Sequence, residues 1–227
     1  MAMKTKHTRT GNIKPLFAAL LGLAIIFPSC KKDDTGLNIN ANVMIVNSVE
    51  GSAPQDFYLN SAKVNSQAVA YSENSGYLST SSGNKTAEFK NSGSAQVNST
   101  STTALEGGKY YTFFYTGSTS SASSTRTEDD MSAPPSGKCK VRYINLNSSA
   151  TTNIDFSLNG TNLGTNLSYK AASGFTAVNA GTYTFKILAS GTSNLYFDMP
   201  VTLQAGKIYT IWASGNTVLS SHLIAHN

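Results

Sequence analysis

The chain has 227 residues, of which 13% are charged, and a formal net charge of +5. Lys4, Lys6, Arg9 and Lys14 all precede Cys30, and without them 13 basic residues face 12 acidic ones, so the basic balance is no nucleic-acid signature. The remainder is rich in Ser, Thr, Asn, Gly and Tyr with a single Trp, a composition of short strands and polar turns that argues against a helical protein and is long enough for two small cores.

Met1 to Lys14 form a basic leader, and Leu16 to Phe27 an apolar run of 12 residues. As a helix that run spans ~18 Å, well short of a ~30 Å hydrocarbon core. It predicts a signal-peptide core over residues 1–29, not a membrane span. The run ends at Phe27-Pro28-Ser29-Cys30. A small residue directly before a cysteine resembles a bacterial lipobox, although Phe27 and Pro28 depart from its commonest form. The expected product begins at Cys30, carries lipid on its sulfur, and is held by ~0.8 kcal/mol per buried CH₂. Residues 30–40 then form a lipidated tether. Within it Lys32, Asp33 and Asp34 resemble the export signal of Bacteroidota lipoproteins, which implies an outer-membrane anchor with the protein facing the cell exterior. The plainer reading of that charge run is a solvated tether.

Beyond the tether the chain repeats itself. Residues 43–117 align with 141–215 at an offset of 98. Val43-Met-Ile-Val-Asn47 matches Val141-Arg-Tyr-Ile-Asn145, and Asp56-Phe-Tyr-Leu-Asn60 matches Asp155-Phe-Ser-Leu-Asn159. Leu105 to Gly117 matches Leu203 to Gly215, including Gly108-Lys109 against Gly206-Lys207. Each block alternates apolar and polar residues as a half-buried strand does, and Asn159-Gly160 is a hairpin signal. About seven strands per copy are expected, the last near Ser123–Asp129 and Ser220–His226. Asn91–Thr103 reads as a Ser/Thr loop standing where the second copy has Ala189–Pro200. In Tyr110–Tyr115 both faces are apolar or aromatic, so one face is expected in the core and the other against the neighbouring copy. Pro134-Pro135 cannot join a ladder and marks the boundary. The expected organisation is a sandwich repeat at 41–132, a Pro-rich linker at 133–137 and a second repeat at 138–227, each copy carrying strands enough to fold alone.

Strands recurring about every ten residues with turns between them predict an all-β chain of two tandem Greek-key β-sandwiches, immunoglobulin-like or transthyretin-like. Val141 to Asn145, Asp155 to Gly160, Ser173-Gly174-Phe175, Ala180 to Tyr183 and Leu203 to Thr210 resemble the domain-of-unknown-function family 4397, common in Bacteroidota lipoproteins. Asp129 to Pro135 also looks like that family's connection between copies. The resemblance implies an extracellular β-sandwich and brings no catalytic residues with it.

The chemistry-bearing residues are few. Cys139 opens an apolar strand and reads as a small buried side chain rather than a reactive thiol. His222 and His226 lie four residues apart on a strand, so their rings sit ~13 Å apart, too far to share an ion; they read as exposed edge histidines. Asp56 and Asp155 are equivalent positions in two copies, with a turn or strand-entry role. Glu128-Asp129-Asp130 is too small for a Ca²⁺ site by itself and reads as a solvated linker. No catalytic residue, metal site or cofactor is expected. Three functions remain in order: a non-enzymatic surface lipoprotein with a binding or structural role, a glycan-binding accessory lipoprotein, and a hydrolase. The partners expected are the membrane, through the N-terminal lipid, and a glycan or protein ligand, with no nucleic acid.

Overall fold

The computed structural model describes residues 39–215 and 219–227. Cys30, Lys32, Asp33 and Asp34 lie outside the described residues. The first copy comprises β1 (Ala41–Asn47), β2 (Gln55–Leu59), β3 (Ala62–Lys63), β4 (Asn74–Thr80), β5 (Gly83–Asn91), β6 (Val97–Leu105), β7 (Tyr110–Ser118) and β8 (Ser121–Glu128). The second repeats it as β9 (Lys138–Asn145), β10 (Ile154–Leu158), β11 (Thr161–Leu167), β12 (Thr176–Asn179), β13 (Gly181–Ala189), β14 (Leu195–Leu203), β15 (Ile208–Ser214) and β16 (Ser220–Ala225). No helix occurs among the described residues.

Each copy is a sandwich of two four-stranded sheets. Their orders are β4-β1-β7-β8 over β3-β2-β5-β6, and β12-β9-β15-β16 over β11-β10-β13-β14. Neighbours run antiparallel except β1 with β7 and β9 with β15, which are parallel. An immunoglobulin constant domain keeps its first two strands in one sheet. Here β1 and β2 lie in opposite sheets, which is the transthyretin-like alternative.

Period-two alternation decides what each inner strand touches. Val43 and Ile45 of β1, with Tyr111, Phe113 and Tyr115 of β7, pack on Phe57 and Phe89 to fill the first core. Cys139, Val141 and Tyr143 of β9, with Tyr209 and Ile211 of β15, pack on Phe156 and Phe185 to fill the second. The alternate residues of the same strands are buried too. Met44, Val46, Phe114, Ile144, Leu146, Trp212 and Ile224 form a third cluster, with Tyr77 against it. The sheets β4-β1-β7-β8 and β12-β9-β15-β16 therefore pack face to face, and the molecule is four sheets deep. This is why Tyr110–Tyr115 is apolar on both faces: one side is core, the other joint.

The joint is an internal pseudo-twofold. Tyr71 of the first copy bonds the Ser214 hydroxyl at 3.0 Å, and its counterpart Tyr169 bonds the Thr116 hydroxyl at 3.3 Å. Ser214 and Thr116 are themselves counterparts, so each copy does to the other what is done to it, as in an isologous dimer.

The loop expected over Asn91–Thr103 is mostly strand: β6 pairs along its length with β5, giving eight strands in place of seven. Its Ser/Thr run lacks apolar alternation because it is a sheet edge. The edge strands β6 and β8 of the two sheets meet through hydroxyls, Ser99 donating to Ser124 at 3.0 Å and Ser124 to Ser101 at 3.4 Å. β7 and β8 form a hairpin, running to Ser118 and from Ser121.

Candidate functional site at the joint

A group of ionisable side chains at the joint is built from Tyr77 of β4, Arg142 of β9, and Asp129 and His226 just past the ends of β8 and β16. Alternation on β9 turns Arg142 away from its own core, and the end of β8 brings Asp129 opposite it. The Arg142 guanidinium meets the Asp129 carboxylate at 2.7 Å, with side chains 3% and 0% exposed. Asp129 also accepts from Thr112 Oγ1 at 2.6 Å, Tyr77 Oη at 2.8 Å and Thr127 Oγ1 at 3.2 Å. Arg142 donates to Thr210 Oγ1 at 2.8 Å and to the Glu128 carbonyl at 3.0 Å. Its guanidinium lies over the Phe175 ring, 4.6 Å from the centroid. A buried ion pair holds only when its remaining donors and acceptors are satisfied, and here they are.

His226 completes the group. Its Nδ1 lies 2.7 Å from Tyr77 Oη and its Nε2 2.8 Å from Thr210 Oγ1. Burial pulls its pKa down from 6.5 to about 4; Asp129 raises it and Arg142 lowers it. Burial likewise pushes the Tyr77 phenol far up, with Asp129 adding to the effect. At the far end of the joint His222 stacks on Trp212 with centroids 4.1 Å apart. Its Nε2 is 3.4 Å from Tyr71 Oη, and burial lowers its pKa.

These contacts overturn two expectations. The histidines are not exposed edge residues: His226 is buried and His222 is partly covered, because the joint hides the face that His222 shares with Ile224 and with His226 just past β16. Asp129 is not part of a solvated linker, although Asp130 beside it is exposed and pairs with Lys140 at 2.6 Å. The Lys140 ammonium and the Ser132 hydroxyl hold the Asp130 carboxyl down to about 2.

Other singled-out residues sit apart from the joint. Cys139 is fully buried, and burial pushes its thiol pKa up. Asp155 caps backbone donors, accepting from the Asn166 amide at 2.7 Å and the Gly191 amide at 3.2 Å. Asp56 instead pairs with Lys63 at 2.8 Å. No group of three His, Cys, Asp or Glu side chains able to hold a metal occurs among the described residues. On the outer sheet of the first copy, Asn60, Asn84, Lys85, Thr86 and Thr102 line an open groove of about 520 Å³. Sequence reasoning missed Arg142, Tyr77 and Asp129 as a unit. The available signal was a charged residue in a strand, β9, whose neighbour β15 carries Trp212 on the same face.

These features define a class: a tandem β-sandwich protein whose copies are joined through their inner sheets. The model of the family described as "Domain of unknown function (DUF4397)" matches residues 41–152 and 146–226, and the chain belongs to that family. No curated protein matches it. Among solved structures it is similar to a family 26 carbohydrate-binding module of Eubacterium rectale Amy13K, solved with maltoheptaose. That match has 9% identity and a TM-score of 0.28, covering 81% of this chain and 96% of that one. A family 41 α-glucan-recognition module from streptococcal virulence factors matches at 10% identity and a TM-score of 0.26, covering 80% and 97%. Scores this low add nothing to the sandwich already described.

Proposed function

We propose that the protein is a non-enzymatic lipoprotein of the outer membrane, anchored through Cys30 and facing the cell exterior, whose binding or structural role falls to its outer sheets and end loops. One observation carries the non-enzymatic part. The residues best suited to acid–base chemistry, Asp129 and His226, are buried in the joint and both bonded to Tyr77. General acid–base work needs a group within ~3 Å of a substrate proton, and no substrate reaches that layer while the sandwiches are closed. The anchor rests on the order of basic leader, apolar run and cysteine, and the exterior location on Lys32, Asp33 and Asp34.

A glycan ligand is the second reading, favoured by the groove of Asn60, Asn84, Thr86 and Thr102, whose amides and hydroxyls suit sugar hydroxyls. Against it, Tyr196 is the single exposed aromatic among the described residues, and its hydroxyl lies 3.1 Å from Thr152 Oγ1, so no stacking platform is assembled. A glycan array probed with the purified protein separates the two. Binding abolished by Asn84→Ala with Thr86→Ala moves the glycan reading first, and an empty array leaves the binding role to a protein partner. Hydrolysis of a glycan or ester that disappears in His222→Ala, with the fold retained, would overturn both.

A further inference from the structure

We propose that the joint between the two sandwiches is a proton-operated latch, closed while His226 is neutral and released when its imidazole takes up a proton. The hydrogen-bond directions require the neutral ring. Asp129 is an acceptor, so the Tyr77 hydroxyl 2.8 Å away donates its one proton to it. Tyr77 Oη can then only accept from His226 Nδ1 at 2.7 Å, which fixes the proton on Nδ1 and leaves Nε2 an acceptor. Thr210 Oγ1, at 2.8 Å, donates to Nε2, while that same oxygen accepts from Arg142 Nε at 3.2 Å and Nη2 at 2.8 Å. The Arg142 Nη2 meets Asp129, and the ring of bonds closes.

A second proton on the imidazole breaks this ring at Thr210. Nε2–H then points at an oxygen already taking two N–H bonds, and the threonine hydroxyl loses its acceptor. The new charge also lies beside Arg142 in a buried layer. The charged and titratable groups facing His226 are Tyr77 from β4, Asp129 from the end of β8 and Arg142 from β9; Lys140, next on the same face of β9, is tied to Asp130. Asp129 favours the charged imidazole, but four donors already occupy its two oxygens. The Thr210–His226 bond that fails lies within the second copy, and the Nδ1–H bond to Tyr77 of the first copy survives it; what drives the sandwiches apart is the new charge buried in the joint, which reaches water only when the joint opens. With the ring titrating at about 4 when closed and near 6.5 when open, the open form takes up protons first. The closed-to-open ratio falls by about 80-fold as pH drops from 6.5 to 4.

Trp212, the single tryptophan, is fully buried in the joint and reports opening by fluorescence. Between pH 7 and pH 4 the protein should show a red-shifted emission and a larger radius of gyration. Its far-UV circular dichroism should stay unchanged, because each sandwich keeps its own core. Neutralisation should reverse the change. His226→Gln should abolish the transition and His222→Gln should retain it. A parent protein that stays closed to pH 4, or a His226→Gln variant opening at the parent's pH, overturns the latch. If His226→Gln fails to fold, the imidazole nitrogen resonances of the parent decide. The latch requires the Nδ1–H form and titration well below 6.5, and titration near 6.5 in a closed joint rules it out.

Discussion

At the scale of single residues, Asp129 and Arg142 pair in a layer closed to water, so removing one leaves the other charge buried and uncompensated. Arg142→Met leaves the Asp129 carboxylate buried without its cation and should cost about 3–5 kcal/mol in urea unfolding. Adding Asp129→Asn should recover most of that loss, since well-packed neutral groups replace a buried pair at little cost. A single-variant loss below about 1 kcal/mol would show that water reaches the pair. Cys139 was legible in the sequence as a buried strand residue because its surroundings are local. Asp129 and His226 were not, because what buries them is the other copy. Read along one strand, β16 has an exposed side, and only the face-to-face packing of the inner sheets hides it.

Among the elements, the glycines of the repeat mark the turns. Gly117 and Gly215, counterparts in the two copies, both hold positive φ, 109° and 116°. A Cβ at Gly117 would also strike the Ser121 carbonyl oxygen across the β7–β8 hairpin. Gly117→Ala should therefore destabilise the protein by more than about 1 kcal/mol. Strands with apolar alternation were readable with their ends nearly in place. β6 was not, because Thr and Ser on a sheet edge follow cross-strand pairing rather than a hydrophobic period. The joint also bears on residues 138–227 expressed alone. That segment has its own core, but without the first copy it exposes Ile144, Leu146, Trp212 and Ile224. Expressed alone it should self-associate, and sedimentation showing a well-folded monomer at millimolar concentration would mean the joint is dispensable.

For the whole molecule, four sheets in series leave two outer sheets and the end loops for any partner. The two-copy architecture was legible from self-similarity. The joint was foreshadowed by the doubly apolar Tyr110–Tyr115, while its polar interior had no sequence signature. The proposed placement at the cell surface rests on the leader and tether. Asp33→Ala with Asp34→Ala should leave the protein lipidated but shielded from protease added to intact cells; equal digestion of variant and parent would reduce Lys32, Asp33 and Asp34 to a solvated tether. The most direct measurement compares the parent with Cys30→Ala by radioactive palmitate labelling, membrane partitioning and protease shaving of intact cells. The parent should take up label, sediment with membranes and be shaved, and Cys30→Ala should do none of these. A Cys30→Ala protein that is labelled and membrane-bound like the parent would contradict the surface-lipoprotein account.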